Sequence, residues 1–557
     1  SECNLFMSTY DKENCINPTV LINFIKNTQI DKYNDLQRNC GNADDIIVRS
    51  VIKCIEDDGI VDVLKNGFKI RGMSFDMYFE TFAKKPADFS VGTTAKRDYL
   101  YNEYWCIHEF QYCEKSHEEI DFAIFVNGLP LFDFELKTKL AGSQYTYQSA
   151  IDQYNDRVRK SMNGDEYHKY WKNTTGMIAH FALDDNNVYV CSDIINGAFK
   201  PFNIGIGEGV GKRSGNPTAK SGFSVEYLYK EFEPDVVDPK DYIDNILSKD
   251  MIANIINNFV YMEKGKMIFP RYHQLNAVTR IEKDIVNNVR DKGIKGVNFL
   301  VQHSAGSGKT KSITWLAYQL QALQKPDSTY LFGSVVILTD RKVVIGQLGE
   351  SIWNNDKRED DMVARVENAD NKSDALKAAL EQEKRIITCT IQSFLDLKDK
   401  LDFNTNKKYA VIIDESHSST DGKDIDAVKT SLEALGGNIS LIGFTATPKK
   451  STLITFGSKY ITLKDEDGKE YREYLPYDVY SMRQAIEEGY ILDSFAAYKT
   501  VEAHCQLVLV TADKEVQKQY ARGILQGMKE EKGLTIPNKV EFIIKDFYEN
   551  FYDAIDG

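Results

Sequence analysis

The chain has 557 residues, 42% of them hydrophobic and 27% charged, with a formal net charge of −14. That length exceeds what a single hydrophobic core fills, so roughly three lobes are expected. No apolar run is long enough to cross a bilayer, and the acidity argues against a protein that coats nucleic acid by bulk electrostatics. The nine cysteines are scattered without a Cys-x-x-Cys pair, so structural zinc is not expected. That usage fits a reducing cytoplasm better than a disulfide framework. No charged-then-apolar signal opens the chain, and a first residue other than Met suggests clipping or a partial chain.

In chain order, the first constellation that carries chemistry spans Ile120–Val126 and Leu129–Lys137, two β-rich segments around Asn127-Gly128. An Asn-Gly between such segments is a strong hairpin signal. Glu135 and Lys137 are two apart and share one face of a strand. With Asp121 they form a candidate metal-dependent phosphodiesterase site: two carboxylates for Mg²⁺, and an ammonium to position water and offset developing charge. The bland alternative is a hairpin with a solvated charged face. Parity tests the idea. A two-residue loop pairs Asp121 with Phe134 and sends Glu135 and Lys137 to the opposite face, so the site requires an odd loop, and an unbroken two-residue hairpin would rule it out. The expected form is a Val126-Asn127-Gly128 loop with Gly128 left-handed, which sets Asp121 opposite Asp133. Arg157, Arg159 and Lys160 follow as a basic run, either phosphate contacts or the wet face of a helix.

Gly205-Ile206-Gly207-Glu208-Gly209-Val210-Gly211-Lys212-Arg213 imitates a phosphate loop, but no Ser or Thr follows the Lys and Pro217 forbids a helix directly after it. It reads as a loop. Residues 241–265 read as a helical connector. The strong phosphate loop lies at Val297–Leu323, where an apolar run feeds Gly306, Ser307, Gly308, Lys309 and Thr310. Apolar residues at helical spacing then follow. Glycines let the backbone N–H groups wrap a polyphosphate at a helix N-terminus. Lys309 would reach the β- and γ-phosphates of ATP and Thr310 would hold Mg²⁺. His303 stands where the strict pattern has Gly or Ala. Farther on, Tyr409–Ile413 runs into Asp414-Glu415-Ser416-His417, where Asp414 would bind Mg²⁺ and Glu415 would orient or deprotonate the attacking water.

The order of these pieces resembles a superfamily 2 helicase or translocase. DESH at 414–417 is similar to its DEAH box, and Thr445-Ala446-Thr447-Pro448 to the motif linking ATP state to nucleic-acid grip. Pro270-Arg271-Tyr272-His273-Gln274 resembles the adenine-sensing segment, which implies Gln274 as base reader. Thr339-Asp340-Arg341 and Thr390-Ile391-Gln392 resemble DNA-contacting motifs. The sequence NGLPLFDFELK at 127–137, with Asn102 upstream and the motor downstream, resembles the motor (R) subunit of type I restriction enzymes. So do Pro201-Phe202-Asn203 and Tyr480–Gly489.

That resemblance implies a PD-(D/E)xK nuclease fused to a double-stranded DNA translocase, working with separate methyltransferase (M) and specificity (S) subunits and with no membrane. It also implies a Gln-x-x-x-Tyr element after the Lys. Here Gln153 is the candidate catalytic Gln, with Arg157 where the Tyr would stand. Asp133 replaces an aliphatic residue, as a third metal ligand or a neighbour that raises a pKa. The expected fold is α/β: a nuclease-like domain over 1–240, the connector, a first RecA-like lobe over 266–455, and the start of a second lobe over 456–557. No later motor motif precedes Gly557, so ATP binding is expected of this chain, and efficient hydrolysis or translocation by it alone is not. The rival readings are a helicase or remodeller whose N-terminal domain only binds DNA, and a nucleotide-gated scaffold without turnover.

Overall fold

The computed structural model describes residues 2–492 apart from 80–97, 115–117, 139, 141, 143, 164–168, 186, 203–227, 229–244, 340–362, 367–370, 396–406, 415–437, 458 and 465–468. Glu415, Asp340, Arg341, Asn203 and the Gly205–Arg213 loop therefore lie outside the described residues. The chain divides into two compact units, Ser1–Ile491 and Leu492–Gly557, and all the described residues but Leu492 belong to the first. Among the described residues no helix is long and apolar enough to cross a membrane.

Five helices between Glu2 and Asn66 precede a small hairpin, β1 (Phe68–Ile70) and β2 (Met73–Phe75). A six-stranded sheet follows in linear order: β3 (Tyr104–Phe110), β4 (Ile120–Val126), β5 (Leu129–Leu136), β6 (Ala179–Leu183), β7 (Val188–Cys191) and β8 (Lys200–Pro201). All neighbours are antiparallel except β5 and β6, which are parallel. A parallel pair needs a crossover, and the helix Tyr147–Asn163 supplies it. Its Ala150, Tyr154 and Val158 recur at i, i+4 and i+8 and bury against one face of the sheet with Ala123, Phe125 and Ala182. The opposite face, with Phe132, Phe134 and Phe181, belongs to a larger apolar core that also takes in buried residues of the N-terminal helices.

The β4–β5 turn differs from the expected odd loop. Asn127 and Gly128 both have positive φ, +49° and +85°, and Val126 pairs directly with Leu129, making a two-residue hairpin. Parity is restored inside the strand instead. Phe125 pairs with Pro130 and Ile124 with Phe132, so Leu131 is an extra residue. Pro130 has no N–H to give the ladder, which is the physical reason the bulge forms beside it. Beyond the bulge Ala123 pairs with Asp133 and Phe122 with Phe134. One step further sets Asp121 opposite Glu135, not opposite Asp133 as the longer loop would have it. Gly128 tolerates no side chain: its φ is left-handed, and a Cβ would collide with the carbonyl oxygen of Asn17, at the start of the second helix.

The helix Lys249–Asn254, a π turn over Ile255–Phe259, and the hairpin of β9 (Tyr261–Glu263) and β10 (Lys266–Ile268) lead to the second sheet. The connector is thus only partly helical. The second sheet has seven strands: β11 (Asn298–His303), β12 (Ser334–Leu338), β13 (Val363–Arg365), β14 (Ile386–Cys389), β15 (Tyr409–Asp414), β16 (Ile439–Thr445) and β19 (Asp478–Tyr480). Their order is β13-β14-β12-β15-β16-β11-β19. Every pair is parallel. The strands β12, β14 and β15 are buried along their whole length, as befits a sheet covered on both faces. Two further strands, β17 (Lys459–Lys464) and β18 (Glu470–Leu475), pair only with each other.

The strand β19 lies within the stretch read as the start of a second lobe, yet it hydrogen-bonds into the first sheet beside β11. A three-residue strand is too short to give a periodic signal. What fastens it is Asp478. Its carboxylate accepts from Arg280 Nη1 and Asn276 Nδ2, both at 2.9 Å, and from His303 Nε2 at 2.8 Å, all within the core. His303, the residue that broke the phosphate-loop pattern, therefore holds the base of that loop to β19. Asp478→Ala strands a buried guanidinium, and the expected loss is about 3–5 kcal/mol of stability, read as a lowered denaturant midpoint. An unchanged midpoint would contradict the anchoring role. The two sheets share apolar packing through Phe132, Phe181, Phe202, Phe269 and Tyr272, whose rings meet at centroid distances of 5.7–6.4 Å.

Candidate active sites

The first site sits on the sheet face under the crossover helix. Glu135 is fully buried, while the Asp121 side chain remains 40% exposed. Lys137 Nζ lies 3.4 Å from Glu135 Oε2 and 4.0 Å from Asp121 Oδ2. Asp121 is steadied by the Leu136 N–H, which donates to its Oδ2 at 2.6 Å. The structure thus brings Asp121, Glu135 and Lys137 together. The small side chains of Ala123, beside Asp121, and Ala182, paired with Glu135, leave room there. The other oxygen of Glu135 is in contact with Arg157 Nη1. Among the described residues no cluster of three or more His, Cys, Asp or Glu side chains could hold a metal ion. The solvent-exposed Asp121 and the buried Glu135 nevertheless suit Mg²⁺, which keeps several waters and takes only one or two carboxylates.

Burial is the largest influence on Glu135 and outweighs Arg157, so the carboxyl is pushed up to about 7. The folded state then binds more protons than the unfolded chain between about pH 4.5 and 7. Stability of the metal-free protein should therefore fall as pH rises through that window. Glu135→Gln should flatten the dependence, as read by melting temperature from pH 5 to 8. Equal slopes in the two proteins would reject the assignment.

Asp133 is not on offer as a third ligand. It is fully buried and accepts from Tyr154 Oη at 2.8 Å and from the hydroxyl of Tyr170, and it pairs with His180 Nδ1 at 2.8 Å. Those partners occupy both oxygens. Gln153 is half-buried on the crossover helix one turn before Arg157, and no described hydrogen bond joins it to the three site residues. Arg157, in contrast, is buried on Glu135, and Arg159 and Lys160 pair with Asp156 at the surface. Asn102 is structural: its amide side chain ties Phe79 to the buried Asn127.

The second site is the carboxyl edge of the parallel sheet, where the C-terminal ends of β11, β15 and β16 converge. After His303 the chain turns through Gly306 and Gly308, with φ +74° and +81°, and enters the helix Lys309–Ala322 with Gly308 as N-cap. No side chain caps that helix, so its first N–H groups point into the turn. Lys309 Nζ donates to the carbonyls of His303 and Ser304 at 3.3 Å. Gln274 lies against the turn, its Nε2 donating to Ser307 O at 3.2 Å and Gly308 O at 3.1 Å while its Oε1 accepts from Arg271 N. His273 Nε2 also donates to Ser307 O, at 2.9 Å. Burial, reinforced by His303 alongside, holds the His273 imidazole well below its ordinary range and so neutral. Arg271 Nη1 reaches Gly306 O at 3.0 Å. The turn is therefore shaped from behind by Arg271, His273 and Gln274. Asp414 closes β15 in the buried layer, level with Phe444 on β16, and Thr445 ends β16 with its hydroxyl bonded to Thr447 N at 3.2 Å.

Two family models match the chain. The type I restriction enzyme R protein N terminus covers residues 49–196, and the SWI2/SNF2 ATPase covers residues 273–531. Curated relatives include the putative type I restriction enzyme MjaVIIIP endonuclease subunit of Methanocaldococcus jannaschii, 24% identical over 81% of this chain and 40% of the relative. The type I restriction enzyme HindI endonuclease subunit of Haemophilus influenzae is 25% identical over 66% of this chain and 32% of the relative. The chain thus spans less than half the length of these relatives. Among solved structures, the UvsW helicase of bacteriophage T4 is 15% identical over 37% of this chain and 64% of that one, with a TM-score of 0.25. The Sulfolobus solfataricus SWI2/SNF2 ATPase core in complex with dsDNA is 18% identical over 31% of this chain and 36% of that one, with a TM-score of 0.22. With the type I restriction enzyme R protein N-terminal region followed by a SWI2/SNF2 ATPase region in that order, the chain is similar to type I restriction enzyme endonuclease subunits over most of its length.

Proposed function

We propose that this chain belongs to a subunit that moves double-stranded DNA at the expense of ATP and cuts it, as the restriction subunit of a type I complex with methyltransferase and specificity subunits in the cytoplasm of a bacterium or archaeon. One observation carries the reading. The bulge beside Pro130 puts Asp121 opposite Glu135 and beside Lys137, in the same chain as a phosphate loop. The net charge of −14 fits a protein that relies on a partner to find its DNA sequence.

At the motor site the N–H groups of Gly306–Thr310 bind the polyphosphate of ATP, and Lys309 exchanges its loop carbonyls for the β- and γ-phosphates. Thr310 and Asp414 would hold Mg²⁺ there, with Glu415 orienting the attacking water. At the nuclease site Asp121 and Glu135 would hold the ion, and Lys137 offers positive charge to the phosphate as negative charge develops. When bound, Mg²⁺ polarises the phosphoryl oxygens at either site.

The test is reconstitution of the complete subunit with its methyltransferase and specificity partners on supercoiled plasmid. ATP- and Mg²⁺-dependent linearisation is expected. DNA-stimulated ATP hydrolysis without any cutting would instead favour a remodeller whose N-terminal domain only binds DNA.

A further inference from the structure

The two oxygens of Glu135 have different neighbours. One contacts Arg157 Nη1, and the other faces Lys137 Nζ together with Asp121 Oδ2. Arg157 Nη2 meanwhile donates to the carbonyl of Glu119 at 2.5 Å, two residues before Asp121. A planar guanidinium that binds acceptors on both β4's entry and β5 has little freedom to turn. Three residues earlier on the same helix, Tyr154 donates to Asp133. The crossover helix therefore grips β5 at two alternate residues on the site face.

We propose that Arg157 is a positioning residue for the divalent-cation site: by holding one oxygen of Glu135 it turns the other toward Asp121, so that each carboxylate offers an oxygen to one ion. This rests on the metal-dependent nuclease reading above. A neighbouring cation can also act in the opposite sense, by competing with the metal, and the two roles differ in sign. Loss of a positioning partner weakens metal binding roughly ten- to a hundredfold, whereas loss of a competitor tightens it.

The experiment measures Mn²⁺ binding to the nucleotide-free protein by electron paramagnetic resonance, for the wild type, Asp121→Asn, Arg157→Met and Arg157→Lys. The wild type should bind Mn²⁺ at a site that Asp121→Asn removes. Arg157→Met should weaken that site about tenfold or more, and Arg157→Lys, which keeps the charge but not the fork, should recover part of the loss. Unchanged or tighter binding in Arg157→Met overturns the proposal while leaving the nuclease reading in place. If Asp121→Asn binds Mn²⁺ as the wild type does, the nuclease reading fails and the proposal with it. Should Arg157→Met not fold, as judged by circular dichroism, Arg157→Lys decides: weaker binding supports positioning, and equal or tighter binding rejects it.

Discussion

Lys309→Ala should abolish ATP hydrolysis, by roughly a hundredfold or more, without unfolding the protein. The ammonium is the one side-chain charge the phosphate turn itself supplies, and its loss removes a donor from the charge that develops on the transferred phosphoryl group. The fold has little stake in it. Lys309 Nζ makes 3.3 Å contacts to the carbonyls of His303 and Ser304, whereas the turn is shaped by Arg271, His273 and Gln274 behind it. The readout is phosphate release by the assembled complex with double-stranded DNA, beside a melting curve. Hydrolysis at the wild-type rate would mean that the turn does not hold the nucleotide. A wild-type subunit that binds ATP but never hydrolyses it, even with DNA and partners, would favour the scaffold reading.

Asp121→Asn should eliminate DNA cutting by about a thousandfold or more, since a metal-centred charge stabilisation of several kcal/mol is lost, while ATP hydrolysis stays at the wild-type rate. The asymmetry follows from the architecture. Asp121 is on the interior antiparallel strand β4 with its side chain 40% exposed, so the substitution leaves no buried charge behind. The amide oxygen can still accept from Leu136 N, which preserves the local strand geometry. The same change at Glu135 is less informative, because it would also strip the buried Arg157 of its partner. The measurement is plasmid linearisation alongside phosphate release in one reaction. Cutting that survives Asp121→Asn would remove the nuclease assignment and leave a motor with a DNA-binding N-terminal domain.

Much of this protein was legible in the order of its residues. A strand, a Gly-Ser-Gly turn and a helix at 297–323 need only short-range periodicity and the left-handed freedom of glycine, so this strand-turn-helix unit was legible from local sequence. The Asp121, Glu135 and Lys137 set was legible too, because strand alternation forces residues two apart onto one face. Parity then demanded one extra residue between the two carboxylates. Its location was misread as the turn, although Pro130, a residue that cannot donate to a ladder, marked the true place.

Long-range pairing was decided by the tertiary structure. Arg157 meets Glu135 across 22 residues and His180 meets Asp133 across 47, because a parallel β5–β6 pair requires a helix to cross over that face. His303 meets Asp478 across 175 residues, drawing a three-residue strand into the parallel sheet that no local pattern announces. Local sequence sets which face of an element a side chain occupies, through backbone geometry alone. Which partner waits on that face depends on the register and crossovers of the whole chain, and so Asp133 became a buried anchor while Glu135, two residues on, became the candidate ligand.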